Sequence, residues 1–261
     1  MTNVVDRVST YPGRVKLTRA DGTIEYVTWE RADEPTVAGT PINKALFDSI
    51  QADIGLSVPT SIYVSGAGSD TLGNGTSSNP YKTINKALSS LPKNLNGVRA
   101  SIMIAAGTYN ETVNVDRFYG GRIVLSGTSG ASITIGGLVI NSCKVLIDPI
   151  NLTVGSGGIF IESQGMLYSS GNNPIVVNGA AEGVTLRYGA VLDLNQLTIN
   201  NASTRALQVQ YGSTASVGTL SGSGNNIGVY LYNSTAHVVS APISATVQSV
   251  NDNGAFYLYN K

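Results

Sequence analysis

GVTLRY (183–188), ALQVQY (206–211) and GVYLYN (228–233) can be written one under another, and the alignment extends both ways. Upstream stand GIFIES (158–163) and GLVINS (137–142); downstream stands AFYLYN (255–260). Successive starts lie 21, 25, 23, 22 and 27 residues apart. The second and fourth positions are apolar in every piece: Leu138/Ile140, Ile159/Ile161, Val184/Leu186, Leu207/Val209, Val229/Leu231 and Phe256/Leu258. Strict alternation marks a strand with one buried face. Its return at a near-constant period of this length marks a solenoid. The pattern predicts a parallel β-helix, an all-β fold.

Composition agrees. Of 261 residues only 12% are charged, about half the usual share, while Gly reaches 30. Stacked strands with tight turns suit that balance; a helical or a disordered chain does not. Net charge is zero and there is no basic block, so counterion release offers little to a nucleic acid. The single cysteine, Cys143, excludes an intramolecular disulfide and reads as a small buried apolar residue. No apolar run approaches membrane-spanning length, and the N-terminus lacks the apolar core of a signal peptide. A role outside the cell would then require lysis or carriage on a larger particle.

Two parts are expected, 1–58 and 59–261. In the first, RVKLTRADGTIEYVTW (14–29) has two alternating runs about Asp21-Gly22, a hairpin signal. An isolated hairpin is marginal, and Trp29 is the expected anchor. Residues 41–54 follow as a helix, with Thr40 to cap it, Pro41 at the first turn and Gly55 to close it. Ile42, Leu46, Ile50 and Ile54 form its apolar stripe, to be covered by the hairpin, by the β-helix or by copies of itself in an oligomer. In the second part, Ile102/Ile104 and Ile123/Leu125 fit the same buried positions as the ladder. Between 122 and 158 both GLVIN (137–141) and KVLID (144–148) read as strands, leaving the register open. The chain stops inside a coil at Lys261, so a longer parent protein is expected.

The run EPTVAGTPINKALFDSI (34–50) resembles a short module of tail and baseplate-associated proteins of bacteriophages, and of phage-derived particles, of Gram-positive bacteria. That resemblance implies attachment to phage tail or baseplate proteins, with a receptor-facing part after it. IYVSGAGSDTLGNGTSSNPYKTINKAL (62–88) and IMIAAGTYNETVNV (102–115) resemble the opening of right-handed parallel β-helix domains of the pectin-lyase-like type. The shared features are a strand, a Gly/Asn/Asp loop, a helix opened by Asn79-Pro80, and a strand ending Ala-Gly-Thr-Tyr. The helix, 80–91, would set Tyr81, Ile84, Leu88 and Leu91 on one face and lid the first coil, whose open end would otherwise expose core.

Many pectin-lyase-like proteins cleave polysaccharides, with paired carboxylates for hydrolysis or Ca²⁺-binding carboxylates beside a base for elimination. From 122 onward the acids here are Asp148, Glu162, Glu182, Asp193 and Asp252, none in an Asp-Asp or Asn-x-Asp pair. No catalytic residue, cofactor or metal is therefore expected. Glu162 and Arg187 share an outward slot on neighbouring coils and read as a surface ion pair. His237 reads as a surface strand residue, and the loop 65–76 as a structural turn lacking the spaced carboxylates of a Ca²⁺ site.

Outward slots read Val139/Asn141, Phe160/Glu162, Thr185/Arg187, Gln208/Gln210, Tyr230/Tyr232 and Tyr257/Tyr259. Phe160, Tyr230, Tyr232, Tyr257 and Tyr259 are expected on one outer face, with Tyr230 stacked on Tyr257 and Tyr232 on Tyr259. Such a face suits a glycan platform or a subunit interface. The resemblances and this face imply a non-enzymatic phage tail fibre or receptor-binding shaft in the virion, made in the bacterial cytoplasm. Its expected partners are a bacterial surface polysaccharide and its own copies, as a homotrimer, with no nucleic acid and no membrane insertion. The alternative is a polysaccharide depolymerase, hydrolase or lyase, on the same scaffold.

Overall fold

The computed structural model describes residues 14–18, 22–28, 61–127 and 130–258. Trp29, the 41–54 segment with Ile42, Leu46, Ile50 and Ile54, and Tyr259 lie outside the described residues. The chain parts into two compact units, Met1–Ser57 and Val58–Lys261. In the first, Arg14–Thr18 and Ile24–Thr28 pair antiparallel, with Arg14 opposite Thr28 and Thr18 opposite Ile24.

The second unit is a parallel β-solenoid of about seven turns. Each full coil contributes to three stacks of strands. The first stack holds Ser61–Val64, Arg99–Ile104, Arg122–Ser126, Lys144–Ile147 and Met166–Ser169, then residues 191–194 and 214–217, then Thr235–Ser240 and Ala255–Leu258. The second runs through residues 107–109 and 132–135, Asn151–Val154, Ile175–Asn178, and residues 197–200 and 219–222. The third runs through residues 112–116 and 137–141, Ile159–Glu162, Glu182–Leu186, Arg205–Gln210, and residues 227–232 and 247–252. Thr214–Tyr232 is one strand that passes through all three stacks.

The ladder read from sequence is the inner face of the third stack. Val113, Leu138, Ile159, Val184, Leu207 and Val229 lie in register, as do Val115, Ile140, Ile161, Leu186, Val209 and Leu231. None is more than 2% exposed. Each rung then covers the apolar surface of the next, and parallel pairing satisfies the backbone polar groups between them.

Three expectations change. Residues 255–258 leave the ladder: Ala255–Leu258 pairs with Thr235–Ser240 in the first stack, so Phe256 and Leu258 lie beside Ala236 and Val238. The last rung of the third stack sets Ser249 opposite Val229 and Asn251 opposite Leu231. Its alternation is inverted, with Val250 on the outer side, so the apolar pattern skips it. Ile102 and Leu125 are buried as expected but face each other in the first stack, not the third. The ambiguity between 122 and 158 also resolves: residues 137–141 and Lys144–Ile147 are consecutive faces of the winding, in the third and first stacks.

The helix is shorter than 80–91, spanning Ile84–Ser89 with Thr83 as its N-cap. Tyr81 is extended and bridges Val64, donating its N–H to Tyr63 O at 3.0 Å and accepting from Ser65 N at 2.9 Å. The Asp70 carboxylate takes the N–H groups of Lys82 (2.8 Å) and Thr83 (3.0 Å), while Glu111 takes those of Ile84 (2.8 Å) and Asn85 (3.0 Å). Those side chains satisfy the first-turn donors and move the start beyond Pro80. Ile84, Leu88 and Leu91 are buried in the core as the sequence implied, together with Ala87, while Tyr81 is only partly buried against it.

Candidate functional site

The outer face of the third stack carries two columns in register. One runs Asn114, Val139, Phe160, Thr185, Gln208, Tyr230, Val250; the other runs Asp116, Asn141, Glu162, Arg187, Gln210, Tyr232, Asp252. Both match the slots read from sequence until the last coil, where Val250 and Asp252 stand in place of the expected tyrosines. Tyr257 lies instead in the first stack, its ring parallel to that of His237 at 4.8 Å. Tyr257 thus does not share a face with Phe160, Tyr230 and Tyr232, and Tyr230 does not meet Tyr257.

A polar network fills the middle of this face. Arg187 lies 3.9 Å from Glu162 and 3.4 Å from Glu182, and Arg205 lies 3.6 Å from Glu182. Thr185 donates to Glu182 (3.2 Å), Arg205 to Gln208 (2.9 Å), Gln208 to Gln210 (2.7 Å), and the Arg187 Nε to Gln210 (3.3 Å). The Arg205 guanidinium sits 4.3 Å over the Tyr230 ring, a cation–π contact. These long side chains fold over their shorter neighbours, so Thr185 is 0% and Gln208 1% exposed. Both had read as solvent slots; outward on a strand does not mean wet when arginines and a tyrosine lie across it. The Arg187–Glu162 pair stands where the sequence placed it.

Beyond the second column the chain turns a tight corner. There the residue that follows the column takes a left-handed conformation in each coil: Arg117, Ser142, Ser163, Tyr188, Tyr211, Asn233 and Asn253, with φ between 47° and 59°; Gln164, next to Ser163, adds a second at 65°. Asn suits this region; a bulky tyrosine does not. Tyr188 and Tyr211 nevertheless hold it in consecutive coils, their rings stacked at 5.1 Å with planes 6° apart. They are 57% and 45% exposed. Tyr232 meets Tyr211 edge-on at 5.4 Å. The result is an aromatic strip along the solenoid, bordered by guanidinium, carboxylate and amide groups. Strained backbone that displays exposed side chains points to a purpose other than stability.

Tyr188 and Tyr211 escaped the sequence reading although each ends a quoted repeat, because only the second to fifth positions were weighed. The Tyr-Gly pairs Tyr188-Gly189 and Tyr211-Gly212 were the available signal. Glu182 and Arg205 stand at the strand starts, one coil apart, and their pairing follows only from the register. Cys143 is buried, and its thiol donates to Val115 O at 3.1 Å. Asp70 in the 65–76 loop is engaged by backbone N–H groups and by the Thr83 hydroxyl at 2.7 Å.

No protein-family model, curated protein or solved structure matches the chain.

Proposed function

We propose that the chain is a non-enzymatic shaft of a phage tail fibre or receptor-binding protein that contacts a bacterial surface glycan through the outer face of its third stack. One observation carries the binding role: Tyr188 and Tyr211 are held stacked and exposed on left-handed backbone beside the Arg187, Arg205 and Gln210 network. Apolar ring surface next to planar donors and acceptors suits a polyhydroxylated ligand. The phage setting rests on the resemblance of 34–50 and of 62–115. With it come a virion location, attachment through the first unit, a right-handed coil lidded by the 84–89 helix, and a homotrimer seamed by Ile42, Leu46, Ile50 and Ile54. The test is binding to a panel of purified bacterial capsular and wall polysaccharides, with Tyr188→Ala/Tyr211→Ala as comparator. Equal binding by the double variant would sink the proposal.

A second reading, polysaccharide cleavage, draws on Glu162 and Glu182, which lie far apart in sequence yet both contact Arg187. Release of reducing ends from a bound polysaccharide, abolished by Glu182→Gln, would favour it over the shaft.

A further inference from the structure

The corner that carries the tyrosine strip varies in length from coil to coil. It takes five residues at 117–121, two at 142–143 and three at 163–165. A two-residue corner between longer ones must be recessed. The structure has a groove of about 490 Å3 there, lined by Tyr119 from the long corner, by Ser142 and Lys144 from the short one, and by Ser163 and Gln164 from the next. That volume lies within the roughly 300–1,000 Å3 common to ligand sites.

The long corner is fixed in place. Tyr119 donates its N–H to Lys93 O (2.9 Å) and accepts from Leu95 N (2.8 Å). Gly121 sits so close to the 93–98 segment that a Cβ there would lie 2.3 Å from Val98 O. The Tyr119 side chain is nonetheless 61% exposed. The 163–165 corner joins the aromatic strip directly, because Gln164 N donates to Tyr188 O at 3.0 Å. Among the described residues, the Lys144 ammonium and the Gln164 amide have no side-chain partner, whereas the nearby Asp116 carboxylate is taken by Arg117 and Asn141. The groove therefore offers an aromatic ring, hydroxyl and amide groups, and one uncompensated positive charge.

We infer that this corner groove is a binding subsite for an anionic saccharide, with its negative group at Lys144 and a sugar ring against Tyr119, continuous with the Tyr188–Tyr211 strip. The inference rests on the glycan-binding reading above and adds to it a charge requirement and a place. Carboxylate and phosphate share the needed chemistry, so the probes separate them. Calorimetric titration of the full chain would use a tetrasaccharide of alternating glucuronate and N-acetylglucosamine, its carboxyl-reduced neutral form, and a glycerol-phosphate trimer.

Wild type is expected to bind one anionic probe more tightly than the neutral tetrasaccharide. Lys144→Met should lose about five-fold for that probe, the scale of one exposed charge pair, and nothing for the neutral one. Raising the salt should shrink the difference, and Tyr119→Ala should weaken both tetrasaccharides. Loss of binding in Tyr188→Ala/Tyr211→Ala with unchanged binding in Lys144→Met and Tyr119→Ala overturns the groove and leaves the glycan-binding strip standing. Failure of wild type to bind any probe in the titration, or any polysaccharide of the panel, overturns both.

Discussion

The two faces of the third stack share one backbone and obey different rules. Inside, twelve slots over six coils hold only Val, Leu and Ile, each at most 2% exposed. Outside, the same rungs hold acid, amide, arginine, hydroxyl and aromatic side chains, and two polar slots, Thr185 and Gln208, are as dry as the core. An apolar interior asks only for volume and shape, so any coil can satisfy it in the same way. A dry polar face needs particular partners at each slot. That difference predicts which substitutions hurt, and by how much.

Leu186→Ala and Leu207→Ala should show the largest effect, about 2–5 kcal/mol each, because the flanking rungs cannot close the cavity. Guanidinium denaturation measures it, and a loss below 1 kcal/mol would break the claim that the inner column is a packed core.

Gln208→Ala comes next. Gln208 accepts from Arg205 and donates to Gln210, and the Arg205 Nε is already buried without a partner. Removing the amide should cost about 1–3 kcal/mol, the usual penalty for stranding buried polar groups. A silent Gln208→Ala would mean that this face is ordinary solvent-washed surface.

The inner face was legible in sequence because solvent exclusion writes itself as period two. Leu138, Ile159, Val184, Leu207 and Val229 could be aligned by eye, and they stack. Two things stayed hidden. The coil has three faces, and a single-face ladder cannot say where the chain goes between its rungs; this left 137–148 ambiguous and misplaced 255–258. The outer site depends on contacts between coils, such as Arg205 with Glu182 and Tyr188 with Tyr211, whose spacing of 23 residues leaves no local pattern. The helix start was missed for a related reason: Asp70 and Glu111, remote in sequence, took the first-turn donors.

Tyr188→Asn tests whether the corner tyrosines serve stability. Asn relieves the left-handed strain of a bulky residue and gives up a ring stack worth about 0.5–1.5 kcal/mol. The two nearly cancel, so the melting free energy should move by less than about 1 kcal/mol in either direction while polysaccharide binding falls at least about ten-fold. A large loss of stability with binding kept would make the strip a structural stack.

Varying pH addresses the two faces from opposite ends and has the smallest effect. At the outer side, hydrogen bonding and charge from Arg117 hold Asp116 below its usual range, and Ser170 and then Arg99 do the same for Asp148. For Asp70, burial works upward, but hydrogen bonds from Thr83 and Lys82 outweigh it and its pKa also ends low. A depressed carboxylate stabilises the fold above its unfolded value of about 3.9, and that contribution fades as pH falls through the folded value. These groups should therefore leave stability flat from pH 5 to 8 and lower it below about pH 4. On the inner side Cys143 has the opposite sign. Burial pushes its thiol up to about 11, so at alkaline pH the unfolded chain ionises first and gains. Between pH 8 and 9.5 that difference should cost on the order of 1 kcal/mol. Tyr109 and Tyr168, also raised by burial, add to the same limb, so Cys143→Ala serves as the control. The variant should make the alkaline limb shallower, keeping the part due to Tyr109 and Tyr168, and leave the acid limb unchanged. If the acid limb moves with it, the inner and outer faces are not energetically separate.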